Sequence, residues 1–303
     1  MLLQNENVTN YPPIIVISGC TASGKNDLAI SLAKEFEGVI VNADSKQVYK
    51  ELMIGTARPI PDKIIDDHYI VGGIRHYLYG HISIFDDHSL YHYQKECLQL
   101  IHTLSTPVFL VGGTGLYIDA VVKNYSLEGS TDPNREELES LSLLELQEMV
   151  GNELNDLNNS DKNNKRRLIR VIERQKTKRN ESTANQPLRH LYLMKTKDLK
   201  QLEKDIVTRT TLMMENGLIK EAEAYKKEII EDHPKLQIIG YKEFKEYFEG
   251  TINLEQVTDL ITLHTRQYAK RQRTWFRNKA DVINVTDHKS ARSHVANFLT
   301  STS

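Results

Sequence analysis

The chain predicts an α/β fold, in which a parallel sheet is covered on both faces by helices and a helical segment is inserted into that core. Three observations carry this. Residues Ile14–Asn26 read IIVISGCTASGKN, a β-branched apolar run that stops at Gly19 and gives way to a helix-like pattern after Gly24-Lys25. Short continuous apolar strands then alternate with helical periods over the first third of the chain, the signature of a parallel sheet buried on both sides. From about Tyr125 to Gln186 strand signals vanish and Leu/Glu/Asn/Lys helical patterns take over.

The elements follow in order. Ile14–Ser18 is a strand, and the helix after Lys25 runs to about Phe36, with Leu28, Ala29, Leu32 and Ala33 on one face. Val39–Asn42 is a second strand, ending at Asp44. A helical stretch near Leu90–Leu104 precedes a third strand, Pro107–Gly112. Gly112-Gly113-Thr114-Gly115 then opens another helix, so a second glycine loop sits at the carboxyl ends of the strands. Leu191–Leu193 reads as a strand returning to the sheet after the insertion. Asn180–Pro187 (NESTANQP) is a polar loop or hinge, and from Leu199 onward long amphipathic helices are broken by Pro234 and Gly240. The domain division is thus 1–124 with 187–303 for the core, and 125–186 for the insertion.

At 303 residues, 39% hydrophobic and 26% charged, the composition is that of an ordinary globular protein. No apolar run approaches a membrane span and no secretory leader pattern opens the chain. Cys20 and Cys97 form no paired framework, which points to a reducing cytoplasm. A net charge of -2 says little, but two stretches are strongly basic. Lys162–Arg179 carries a single acid, Glu173. Arg266–Lys279 carries none and interleaves Tyr268, Trp275 and Phe276. Cations neutralise phosphates and aromatic planes stack on unpaired bases, so both read as nucleic-acid surfaces, against the alternative of solvated helix faces.

The Gly19–Asn26 loop has the layout of a phosphate-binding P-loop: backbone amides and a helix N-terminus face an anion, and Lys25 adds a mobile charge. A ligand-free glycine turn is the alternative, but strand, loop and helix all fall where the motif needs them. Asn26 stands where a Mg²⁺-binding hydroxyl is usual, and offers a neutral amide oxygen instead. Asp44 can be a general base, a metal ligand or a helix cap; spacing leaves all three open. His76, His81, His88 and His92 show no cysteine or carboxylate cluster with zinc-type spacing, and no metal site is expected there.

With these residues in view, the chain resembles the bacterial tRNA dimethylallyltransferase (tRNA isopentenyltransferase) family. The matching blocks are Gly19–Asn26, Asn42–Pro59, Val111–Ala120, Asn164–Glu173, Ile238–Phe244 and Thr265–Arg277, in family order over nearly the whole length. The resemblance implies a P-loop NTPase-like core and transfer of a dimethylallyl group from dimethylallyl diphosphate to the N6 amine of adenosine 37, next to the tRNA anticodon, with release of pyrophosphate.

It also implies roles. Gly19, Cys20, Thr21, Ala22, Ser23, Gly24, Lys25, Asn26 and Arg209 would hold the diphosphate, with Mg²⁺ as cofactor and Asn26 as its candidate ligand. Asp44, Thr114 and Lys25 would be catalytic. Asp44, Ser45, Lys46, Gln47, Thr114, Arg166, Arg167, Leu168, Ile169, Arg170, Gly240, Tyr241, Arg266 and Arg271 would meet the anticodon stem-loop. A cytoplasmic monomer without membrane contact is expected. The chain departs from the pattern at Cys20, where proline is usual, at Asn26, at Ile74–Leu78 in place of a Pro-His-His segment, and at Asp205, where arginine is expected; the helical insertion is also short. Prenyl transfer to a free adenine nucleotide, a small-molecule kinase and a non-catalytic tRNA-binding protein are the competing functions.

Overall fold

The computed structural model describes residues 11–127, 135–176, 185–277 and 279–301. Most of the Asn180–Pro187 loop lies outside the described residues. In chain order the elements are β1 (Ile14–Gly19), α1 (Lys25–Glu35), β2 (Val39–Asn42), β3 (Lys63–Ile65), β4 (His68–Val71), β5 (Ile74–Tyr77), α2 (Leu90–Thr103), β6 (Val108–Gly112) and α3 (Gly115–Val122). Then come α4 (Arg135–Ser140), α5 (Leu143–Val150), α6 (Asn159–Lys162), α7 (Lys165–Lys176), β7 (His190–Lys195), α8 (Leu199–Glu215), α9 (Leu218–Glu223), α10 (Lys226–Ile230), α11 (Phe244–Phe248), α12 (Leu254–Arg277), β8 (Val282–Val285) and α13 (His288–Thr300).

The sheet order is β3-β4-β5-β2-β6-β1-β7-β8. From β5 to β8 every pairing is parallel, while β3, β4 and β5 form an antiparallel meander at one edge, so the sheet is mixed rather than parallel throughout. β1 is central, flanked by β6 and β7. Its side chains alternate between two cores. Ile14 and Val16 join Val39, Val108, Leu110, Tyr93, Ile118 and Phe276 on one face. Ile15 and Ile17 join Leu28, Leu32, Phe109, Ala291 and Val295 on the other. That is why the run shows no polar alternation. A third core packs the end of α8 and α9–α12 against Val48, Tyr49 and Leu52, downstream of β2.

The chain falls into two compact units, one of Met1–Asn124 with Gln186–Ser303 and one of Tyr125–Asn185. The second has its own small core of Leu138, Leu146, Val150, Leu168, Ile169, Val171 and Ile172. Among the described residues no helix is long and apolar enough to cross a membrane.

Candidate active site

Two glycine loops and the end of β2 meet at the carboxyl edge of the sheet, where open α/β sheets bind ligands. The first loop turns between β1 and α1 with Ala22 and Gly24 at φ of 62° and 79°, a left-handed geometry that suits Gly24 and strains Ala22. Lys25 is half-buried at the start of α1 and reaches the Cys20 carbonyl at 3.5 Å. Burial pushes its ammonium down to about 8, against the pull of the Asp44 charge, with Arg209 adding repulsion. The Ser23 hydroxyl is buried against Gly19 with no hydrogen-bond partner.

Asp44 is held from both sides. Asn42, fully buried at the end of β2, accepts from the Asp44 amide at 2.9 Å and donates to the Asp44 carbonyl at 3.1 Å and the Leu78 carbonyl at 3.0 Å. The Asp44 carboxylate in turn accepts from the Lys46 amide at 2.9 Å. No helix follows, which removes the helix-cap reading and leaves a carboxylate in a tight turn. Its charge is felt by Lys25 and Arg209 and by the hydroxyls of Tyr79, Tyr117 and Tyr268, all three pushed up chiefly by burial and then by neighbouring charge. Ser45 meets the second loop directly: its amide donates to the Thr114 hydroxyl at 3.1 Å, and the two hydroxyls lie 3.3 Å apart.

The glycines of the second loop are there for close approach. A side chain on Gly112 would collide with the Ala43 backbone, one on Gly113 with Gln272, and one on Gly115 with Trp275. Gln272 of α12 is buried between the loops; its oxygen accepts from the Thr21 amide and its nitrogen donates to the Gly113 carbonyl, both at 2.9 Å. The Thr21 amide is therefore already bonded and does not face an anion. Sequence reasoning passes over Gln272, because within Arg266–Lys279 nothing but its missing charge sets it apart.

Lys197 is a second site residue that the sequence does not flag. It pairs with Asp205 and donates to the Ala22 carbonyl at 3.3 Å, so the acid at the expected arginine position carries a lysine onto the phosphate loop. Cys20, in place of proline, is buried and its thiol meets the Ala269 carbonyl of α12 at 3.5 Å.

Six of the positions expected to meet nucleic acid are buried in the fold. Leu168 and Ile169 are core side chains of the helical unit, 0% and 1% exposed. Tyr241 is buried, donates to Glu221 and packs against Gly55, and Gly240 sits against the Gly55 backbone. Glu221 also accepts from the Met53, Ile54 and Gly55 amides at 2.9–3.0 Å, so Gly240 and Tyr241 anchor the loop after Asp44 from behind. Phe276, expected as a stacking face, is core, at 6.2 Å edge-to-face with Tyr192. Gln47 is buried, with its amide nitrogen bonded to the Thr56 and Ala57 carbonyls. Lys46, Arg166, Arg167, Arg170, Arg266 and Arg271 are exposed. Arg167 is ion-paired to Asp161.

These features place a carboxylate, a half-buried lysine and a half-buried arginine at the carboxyl edge of a phosphate-loop fold. The model of the IPP transferase family matches residues 47–279, and the chain belongs to that family. It is 38% identical to the tRNA dimethylallyltransferase of Synechocystis sp., over 91% of each chain, and 35% identical to that of Bacillus mycoides, over 90% of each. Among solved structures, the tRNA isopentenylpyrophosphate transferase of Bacillus halodurans aligns at 31% identity and a TM-score of 0.69, over 95% of this chain and 96% of that one. A eukaryotic dimethylallyltransferase acting on tRNA aligns at 26% identity and a TM-score of 0.76, over 94% and 77%.

Proposed function

We propose that this chain transfers the dimethylallyl group of dimethylallyl diphosphate to the N6 amine of adenosine 37 in tRNA, releasing pyrophosphate. One observation carries the roles: Asp44 is fixed by Asn42 within the field of Lys25 and Arg209. In the reaction the adenine nitrogen forms a bond to the allylic carbon while that carbon's bond to the diphosphate oxygen breaks. Two groups of unlike task are needed. Cations and amides must meet the charge that accumulates on the leaving diphosphate, and Lys25, Arg209 and the first loop supply them. A base must take the amine proton, because the weakly nucleophilic adenine amine gains positive charge and becomes acidic as the new bond forms; Asp44 accepts it. Thr114 and Ser45 line the opening where the target base must arrive, which requires it to leave the anticodon stack.

Asn26, at the start of α1, offers an amide oxygen of the kind Mg²⁺ takes, and the ion would neutralise the diphosphate when bound. The exposed arginines of α7 and α12 favour tRNA over a free nucleotide, which needs no such surface.

The test is transfer of label from dimethylallyl diphosphate to three acceptors: tRNA with adenosine at the position 3′ of the anticodon, the same tRNA with guanosine there, and AMP. Label on the first alone is expected. Asp44→Ala should lower turnover about 100-fold while tRNA affinity holds. Equal losses in both would remove Asp44 as the base.

A further inference from the structure

Spacing along the sequence gives no reason to expect metal at the histidines between β5 and α2, because no cysteine or carboxylate cluster completes a ligand set with zinc-type spacing there. In the fold, Glu96 of α2 supplies a carboxylate. The His81 Nε2 lies 3.1 Å and the His88 Nε2 3.4 Å from the same Glu96 oxygen. The three ligand atoms all fall within 4.8 Å of one another. A zinc ion with bonds of about 2.0–2.1 Å in tetrahedral geometry separates its ligand atoms by about 3.3 Å. The set is two imidazoles and one carboxylate, a borderline-soft donor group suited to Zn²⁺ and poor for Mg²⁺.

The rings are placed by burial and by Glu96, while the Nδ1 atom of each is buried with no hydrogen-bond partner. His88 is 2% exposed in its side chain, and the two rings sit nearly perpendicular, with centroids 6.1 Å apart. His81 is fixed through its backbone, whose amide donates to the Val48 carbonyl at 2.9 Å, while Glu96 rides on α2. His92 does not complete the set, since its Nδ1 faces the Ser89 amide and hydroxyl at 3.2 and 3.1 Å.

We propose that His81, His88 and Glu96 form a zinc site that is separate from the diphosphate site and clamps the loop before α2 to that helix. Three protein ligands leave a fourth position to water. The clamp lies behind the strip that follows Asp44: the Gly80 amide donates to the Gln47 carbonyl at 2.9 Å, beside the His81–Val48 bond. A bound ion would therefore stiffen the strip on which the target base is expected to rest. The competing account is a carboxylate that accepts hydrogen bonds from two histidines and binds nothing.

The experiment uses the full chain without a histidine tag, stripped with chelator and dialysed against Zn²⁺ in excess Mg²⁺. Wild-type protein is expected to take up one zinc, and Co²⁺ in its place to show the intense visible bands of a four-coordinate site. Zinc should raise the melting temperature by mass action. Glu96→Gln keeps the shape of the side chain and His81→Ala removes only a half-exposed ring, so both should fold. Each should weaken zinc binding at least about tenfold, a loss of about 1.4 kcal/mol. No uptake by wild-type protein, uptake unchanged in both variants, or zinc displaced by Mg²⁺ would each overturn the proposal.

Discussion

Lys25 shows how a single buried charge sets a pH response. Burial holds its ammonium at about 8, below the ordinary 10.5. Between those values the unfolded chain carries a proton that the folded chain has lost. The stability of the empty protein should therefore rise with pH across that window, and the burial penalty is fully present below it. A bound diphosphate reverses the local field and holds the proton in place. Above pH 8, binding should then take up a proton, and pyrophosphate affinity should fall by at most about tenfold per pH unit. Calorimetry at pH 9 in two buffers of different ionisation enthalpy reads this directly. Lys25→Met should abolish the uptake; uptake that persists in that variant would assign it to another group. The residue chemistry of Gly19–Asn26, Asp44 and Thr114 is legible in the sequence because strand ends and glycine loops declare where a ligand can sit. The residues that hold those groups in place are not. Asn42, Gln272 and Lys197 act through bonds made across the fold, such as those of Gln272 to Thr21 and Gly113.

At the scale of elements, α12 is the clearest case of a helix with two tasks. Its buried positions Val257, Ile261, Ala269, Gln272 and Phe276 pack inward, and Arg266, Lys270, Arg271, Arg273 and Arg277 stay exposed. The basic face is readable as a charge run; the inward glutamine in the middle of it is not. Gln272→Ala would leave the Thr21 amide and Gly113 carbonyl without protein partners, at about 1–3 kcal/mol for each buried group. A lower urea midpoint is expected, together with a loss of kcat/KM at temperatures where the variant is still fully folded, since both loops shift. Gln272→Glu keeps the acceptor for Thr21 but sets a carboxylate against the Gly113 carbonyl. It should be destabilised at neutral pH and recover as pH falls and the side chain gains the proton it can donate. Full activity in Gln272→Ala would reduce the residue to packing. The strands β1, β2, β6 and β7 are recognisable in the sequence as buried β-branched runs. The meander β3–β5 is not, because its strands are short and partly polar. Yet Gly72-Gly73 between β4 and β5 has φ of 58° and 81°, the geometry of a tight hairpin turn that this dipeptide favours. The loop that follows hides its histidine–carboxylate cluster for a related reason: His81 and His88 stand 15 and 8 residues before Glu96, separations that spacing rules do not cover.

At the scale of the whole molecule, a net charge of -2 conceals the segregation of arginines onto helix faces. In the helical unit, α7 turns Leu168, Ile169, Val171 and Ile172 into its own core, which leaves Arg166, Arg167 and Arg170 at its surface. The described core of that basic stretch, Lys165–Lys176, is thus one amphipathic helix whose apolar members serve folding. The arginines are not equivalent. Arg167 already pairs with Asp161, so reversing its charge would disturb the unit itself. Arg166→Glu with Arg170→Glu leaves the Arg167–Asp161 pair in place and tests a phosphate-facing surface. For every phosphate that is no longer neutralised, the slope of log affinity against log salt should become shallower by about 0.7–0.9. The double variant should therefore bind tRNA more weakly at low salt, with a slope shallower by about 1–2, while turnover at saturating tRNA and pyrophosphate affinity stay at the wild-type level. Filter binding over a salt series gives the slope, and single-turnover transfer gives the chemical step. A slope unchanged from wild type would take α7 out of the interface and leave α12 to carry the electrostatic attraction.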